Sequence, residues 1–240
     1  MIEHEAMCPP GWVGDWLVAA GVELDVRRPY SGDPLPDDLT AHDGMLVLGG
    51  SMNAYDDATH PWLTAVKQLV RVAEDVPTLG ICLGHQLVAV ALGGEVVRSP
   101  LGQQMGIVPV GWTAEAGTDD LFGAVAGSQA AVMWNSDTVN RLPEGAVALA
   151  RTVGGELQAA RFGPRLWGLQ WHPEVDDRIV KTWAEHDRDD ARKRGVDVDD
   201  HLAALAAARE QLHAAWEPLG RQFAALVRKS AASRVAVRAR

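Results

Sequence analysis

Of the side chains in this sequence that could do covalent chemistry, Cys82 stands in the most specific surroundings. It lies within Gly80-Ile81-Cys82-Leu83-Gly84-His85-Gln86, after a short apolar run and before a helical pattern. This is the G-x-nucleophile-x-G arrangement of a nucleophile elbow, with Cys in place of Ser. The glycines permit a turn tight enough to strain the backbone of the central residue, where side chains on either flank would clash. The turn would also put Cys82 at a helix N-terminus, where the positive end of the dipole favours a thiolate. The Leu83 amide would be left to face a developing oxyanion. The alternative is a buried structural Cys in an ordinary strand–helix turn.

A thiol nucleophile needs a base, normally a His oriented by a third group. His85 is three residues from Cys82 on the helix that follows, so it is expected to point away. His172 is the better candidate. It follows the apolar run Leu166–Trp171 and opens His172-Pro173-Glu174, where Pro173 stiffens the backbone. Glu174 can turn back to the imidazole, fix its tautomer and stabilise its charged form. Taken alone, this could equally be a surface His–Glu pair in a loop.

The surrounding pattern shows what must position these groups. Asp43–Gly50 reads as a buried strand ending in a glycine turn, Trp62–Ala73 as an amphipathic helix, Pro77–Ile81 as a second strand and His85–Leu92 as a second helix. Strand–helix alternation implies a parallel sheet covered on both faces. From Val96 the pattern turns β-rich, with strands expected at Gly106–Trp112, Ala130–Trp134, Ala146–Arg151, Leu157–Arg161 and Leu166–Trp171. Gly154-Gly155 is a hairpin signal. The fold class expected is α/β: a mostly parallel central sheet with helices on both faces, a smaller antiparallel β part and C-terminal helices.

Beyond Trp171 the chain reads as helical. Leu202, Leu205, Arg209, Leu212, Trp216, Leu219, Phe223 and Leu226 recur at spacings of three and four, and Pro218 is expected to kink or split this helix. The stripe fits a helix docked on its own domain; the alternative is a homodimer seam. Glu185–Asp200 reads as a solvated helix face or loop, and the tail Arg234–Arg240 as frayed.

Composition narrows the function classes. A net charge of −10 speaks against a nucleic-acid partner, and no apolar run is long enough for a membrane span. The N-terminus lacks the pattern of a signal peptide, and two cysteines cannot build a disulfide framework, so a cytoplasmic setting is expected. No metal-ligand cluster, phosphate-binding loop or dinucleotide fingerprint occurs, so no cofactor is expected. The nine tryptophans lack basic interleaving and read as core and pocket walls.

The elbow together with Gln170-Trp171-His172-Pro173-Glu174, about ninety residues later, resembles the class I (triad) glutamine amidotransferases. A third match is Gly49-Gly50-Ser51-Met52-Asn53-Ala54, where the family's Gly-Gly turn supplies an oxyanion-hole amide, here that of Gly50. The family often has Pro where this chain has Ser51. The resemblance covers roughly residues 2–183 and implies a flavodoxin-like fold. It is nearest to stand-alone proteins similar to the amidotransferase domain of GMP synthase, through Tyr55-Asp56-Asp57, His60-Pro61-Trp62 and Met105–Val110. Plant γ-glutamyl peptidases belong to the same broad group. The first strand, usually full in relatives, should be short here or the start late, since only Met1-Ile2 precede Glu3.

The resemblance implies one domain over 1–240, with a core of about 1–183 and a helical appendage of about 184–230. It implies Cys82 as nucleophile, His172 as base, Glu174 as its orienting group, and Gly50 and Leu83 as oxyanion donors. Gln86, Asn135, Ser136 and Asp137 would bind substrate. Asn135 stands where relatives often carry His, in a loop near the glutamine α-amino and carboxylate groups. The reaction implied is attack on the glutamine side-chain amide, a γ-glutamyl thioester, and ammonia released to a separate synthase subunit. One alternative is a free-standing γ-glutamyl hydrolase or peptidase, towards which Asn135 tilts. Another is a catalytically silent binding or regulatory protein.

Overall fold

The computed structural model describes residues 1–238 apart from Glu74, Gln129 and Arg194, with side chains through Arg234. In chain order its main elements are α1 (Gly11–Ala19), β1 (Met45–Val47), α2 (Trp62–Arg71), β2 (Thr78–Ile81), α3 (Leu83–Ala91), β3 (Glu95–Arg98), β4 (Gln104–Pro109), β5 (Ala130–Asn135), β6 (Asp137–Arg141), β7 (Val147–Arg151), β8 (Leu157–Gly163), β9 (Leu166–Leu169), α4 (Asp177–Lys193) and α5 (Val198–Arg238).

The central sheet has the order β1-β2-β9-β8-β7. β1, β2 and β9 pair in parallel, with Val47 opposite Gly80 and Gly80 opposite Gly168; β8 and β7 continue the sheet antiparallel. Ile2 adds single parallel bridges to Val47 and Arg27, so the expected short first strand is one rung long. Counting those rungs, the sheet is mostly parallel. β1, β2 and β9 are buried on both faces, which is why they read as unbroken apolar runs. Alternate residues go to opposite layers. Leu46, Leu79, Ile81, Trp167 and Leu169 pack towards α1 and α5, while Met45, Val47 and Leu166 pack towards α2 and α3. Two antiparallel pairs, β3 with β6 and β4 with β5, lie outside this sheet.

Several expectations need correction. The Asp43–Gly50 run is a strand only over Met45–Val47, because its flanks become the turns that carry function. The Gly106–Trp112 strand is shifted to Gln104–Pro109, and Trp112 makes only an isolated bridge to Ala150. The β3–β6 pair was not anticipated. Pro218 does not split the last helix: α5 is one element from Val198 to Arg238. An internal Pro costs a helix about 3 kcal/mol, but Trp216, Leu219, Phe223 and Ala224 bury themselves in the core on either side of it. Trp216 lies 4.9 Å from Trp171, ring to ring. The apolar stripe is therefore docked on its own chain. The tail expected to fray is helical through Arg238, and Arg234 donates to the carbonyls of Leu39, Thr40 and His42; residues 239–240 lie outside the described residues. Among the described residues no helix is long and apolar enough to cross a membrane.

Candidate active site

Three adjacent parallel strands end at one edge of the sheet, and each hands the chain to a sequence motif. β1 runs into Gly49-Gly50, β2 into Cys82 and β9 into Gln170–Glu174. The carboxyl edge of parallel strands is where open α/β sheets place their sites.

Cys82 has φ 50° and ψ −105°, and it alone among the described non-glycine residues has positive φ. Such a backbone costs on the order of 1–3 kcal/mol and persists only where the surroundings fix it. They do so through glycines. A Cβ on Gly84 would overlap the carbonyl oxygen of Val47 on β1, and one on Gly80 would come within 2.5 Å of Gly84. No other residue fits the turn without moving backbone.

His172 donates or accepts at 2.6 Å between Nδ1 and Glu174 Oε1, and both side chains are almost fully buried. Its Nε2 is buried with no hydrogen-bond partner. Gly49 keeps the ring close to the thiol: a Cβ there would lie 3.2 Å from His172 Cε1 and 3.7 Å from Cys82 Cβ. Burial alone would lower the imidazole pKa, but the charges of Glu174 and then Cys82 outweigh it and push it up to about 10. Gln170 donates from Nε2 to Cys82 Sγ at 3.4 Å. The second cysteine differs. Burial first, and then the Glu5 charge, push the Cys8 thiol up, so it stays protonated. His85 points away from the thiol, as expected, with its ring 5.4 Å from Phe162; burial lowers its pKa to about 3.

The Gly50 and Leu83 turns lie side by side, since a Cβ on Gly50 would come 2.9 Å from Leu83 Cδ2. No acceptor among the described residues takes either N–H. Ser51, standing where relatives often have Pro, donates its N–H at 2.6 Å and its hydroxyl at 2.9 Å to the Glu5 carboxylate. Hydrogen bonds thus fix the turn that a proline ring would otherwise stiffen.

These groups open into a cleft of about 560 Å³. Gln86, Asn135, Ser136 and Asp137 line it together with Gly50, Cys82 and His172, while Leu83 and Glu174 sit behind. Gln86 donates to the Asp137 carbonyl at 3.0 Å and to Gln170 at 3.2 Å. Asn135 donates to the same Asp137 carbonyl at 3.0 Å. The Asp137 carboxylate receives Asn53 at 2.7 Å, which ties the β1 turn to the β5–β6 turn.

Residues 13–182 match the family described as glutamine amidotransferase class-I. The chain belongs to the class-I glutamine amidotransferases. Gamma-glutamyl peptidase 5 of Arabidopsis thaliana is 30% identical over 165 residues, 67% of this chain and 65% of that protein. The glutamine-hydrolyzing GMP synthase of Leifsonia xyli subsp. xyli is 36% identical over 134 residues, 55% of this chain and 26% of that protein. The chain thus covers less than two thirds of either relative's length. A solved glutamine amidotransferase from Thermotoga maritima superposes with a TM-score of 0.81 at 26% identity, over 93% of this chain and 96% of that one.

One wall of the cleft in this amidotransferase lies beyond the family match. It is the face of α4 carrying Trp183, His186, Asp187 and Asp190. Sequence reading placed most of this stretch on a solvated surface, and density of charge alone gave no signal that one face meets a cleft. Glu5 and Cys8 were also missed, because nothing in sequence links them to turns so far along the chain.

Proposed function

We propose that this chain hydrolyses the γ-glutamyl amide bond, in glutamine and in γ-glutamyl conjugates, with Cys82 as nucleophile, His172 as proton shuttle and Glu174 as the residue that orients and charges it. The observation that carries this reading is the strained Cys82 turn beside a buried His172–Glu174 pair at the ends of adjacent parallel strands. The Cys82 thiolate attacks the side-chain carbonyl carbon, forming a C–S bond as the carbonyl electrons move onto oxygen. The Gly50 and Leu83 amides hold that oxyanion, each worth on the order of 10²–10³ in rate. Collapse breaks the C–N bond, and His172 gives its proton to the departing nitrogen, which leaves as ammonia or an amine. Water then adds to the thioester and loses a proton to His172; expulsion of the thiolate releases glutamate. Gln86, Asn135, Ser136 and Asp137 hold the γ-glutamyl head group.

The likeness to a glutamine-hydrolyzing GMP synthase favours a second form of the same chemistry, in which ammonia passes to a separate synthase chain. Glutamate and ammonia release by purified protein tests both. Cys82→Ala is expected to abolish release and His172→Ala to remove nearly all of it; full activity in either variant refutes its assigned role. Glutamine turnover that rises when a synthase chain co-purifies supports ammonia transfer, whereas partner-independent cleavage of many γ-glutamyl amides rejects it. A silent binding protein would leave Cys82 unlabelled by an electrophilic glutamine analogue.

A further inference from the structure

Proton delivery fixes the side of the cleft on which a leaving group must emerge. His172 hands its proton to the departing nitrogen, so whatever that nitrogen carries lies on the His172 side of the scissile carbon. That side is roofed by α4: the Trp183 ring stands edge-on to His172 with centroids 4.6 Å apart. Asp187 lies one helical turn further, about 6 Å along the axis, and lines the same cleft. Trp134 Nε1 donates to its Oδ2 at 2.8 Å and Gln103 Nε2 at 3.1 Å. Both donors are neutral and share one oxygen, so the charge of Asp187 is positioned but not neutralised.

The cations of the cleft rim already have carboxylates. Lys193 lies 2.8 Å from Asp190, and Arg98 lies 3.4 Å from Asp137. A second cleft-lining acceptor points the same way. Asn135 is buried, its amide nitrogen is engaged, and its Oδ1 has no partner among the described residues. The cleft has room for about twenty waters at ~30 Å³ each, several times what the side chain of glutamine fills.

We propose that the α4 face around Asp187 is a leaving-group subsite that selects γ-glutamyl amides whose amine portion bears a second, protonated amino group, as in a γ-glutamylated diamine. The inference rests on the γ-glutamyl hydrolase reading above. The C–N bond broken is the γ-glutamyl amide; the diamine departs with the proton from His172, and its remote ammonium is held by Asp187 throughout. Because α4 lies beyond the family match, this selectivity belongs to the chain's own helix and not to the shared γ-glutamyl head-group site.

The test compares kcat/KM for γ-glutamyl butylamide, its 4-aminobutyl analogue and its 3-carboxypropyl analogue. A charge-assisted contact predicts a preference of about tenfold or more for the cationic amide over the neutral one, with the anionic amide poorest. In Asp187→Asn, which keeps an acceptor for Trp134 and Gln103, the cationic-to-neutral ratio should fall to about one. Equal rates for the cationic and neutral amides, or a ratio unmoved by Asp187→Asn, overturn the subsite while glutamine hydrolysis leaves the parent reading standing. Calorimetric binding of the same amides to Cys82→Ala separates the two further. Cationic preference there, lost in Cys82→Ala/Asp187→Asn, sustains the subsite even if turnover fails; no preference rejects it.

Discussion

Replacing Glu174 by Gln keeps the shape of the side chain and removes one negative charge 2.6 Å from His172 Nδ1. With charge centres ~4 Å apart and an effective dielectric of ~20, the pair is worth about 4 kcal/mol. That is enough to move an imidazolium pKa by about three. In the native site burial pulls the His172 pKa down, but the Glu174 and Cys82 charges hold it at about 10. Without the Glu174 charge it should fall to about 7. At pH 8.5 the native imidazolium is then about 97% protonated and that of the variant about 3%, whereas at pH 6 both are charged. The proton needed by the departing nitrogen is therefore missing in the variant at high pH only. The deficit in kcat should widen about 30-fold between pH 6 and pH 8.5. Ammonia release at saturating glutamine across this range reads it directly, with a melting curve at each pH to show that both proteins stay folded. A native-to-variant ratio that does not change with pH would refute the idea that Glu174 keeps the charge on the base.

Two further predictions concern the fold beneath the site. Gly84→Ala should cost about 3 kcal/mol or more and abolish activity, because its Cβ would meet the Val47 backbone; Gly117→Ala, into open space, should melt like the native protein, and equal melting temperatures for both variants would refute the packing argument. Burial lowers the pKa of His4, with a smaller push from His60, and of His85 to about 3, below the ~6.5 of an unfolded imidazole. The unfolded chain alone then takes up protons as pH falls below ~6.5, so stability is full above that pH and declines towards pH 3, by about 1.4 kcal/mol per pH unit for each ring. His85→Leu should remove one such contribution from urea midpoints measured between pH 6 and 4; an unchanged slope would show that His85 is charged in the fold.

The parts of the site that follow local rules were legible in the sequence. A buried apolar run, two glycines three apart from one another's nucleophile-flanking positions and an immediate helix describe the Cys82 turn without tertiary information. Likewise His172-Pro173-Glu174 at a strand end places a base and its partner within one turn of chain. What escaped depended on contacts between distant segments. Ser51 is fixed by Glu5, and Asp137 by Asn53, through side chains whose sequence context is unremarkable surface chemistry. β3 is four residues with an alternating half-exposed face, too short for a period to stand out, and it exists because β6 pairs with it. Local propensity misjudged Pro218 because the burial of Trp216 and Leu219 around it outweighs the lost helical hydrogen bond. The α4 wall was read as solvated because its outward charges and its cleft-facing Asp187 are the same residue types.

The strand order β1-β2-β9 also sets the time at which the site is born. The pairing of β1 with β2, and the α3 helix that follows, bring together segments close in sequence. β9 pairs with β2 only after some eighty intervening residues have been gathered, and closing longer loops slows folding. A chain emerging from the ribosome would thus display its nucleophile turn well before its base exists, with the edge of β2 still unpaired. Such an edge is a template for association with other chains. Catalytic competence and protection from aggregation therefore arrive together, in the single event by which β9 slots between β2 and β8.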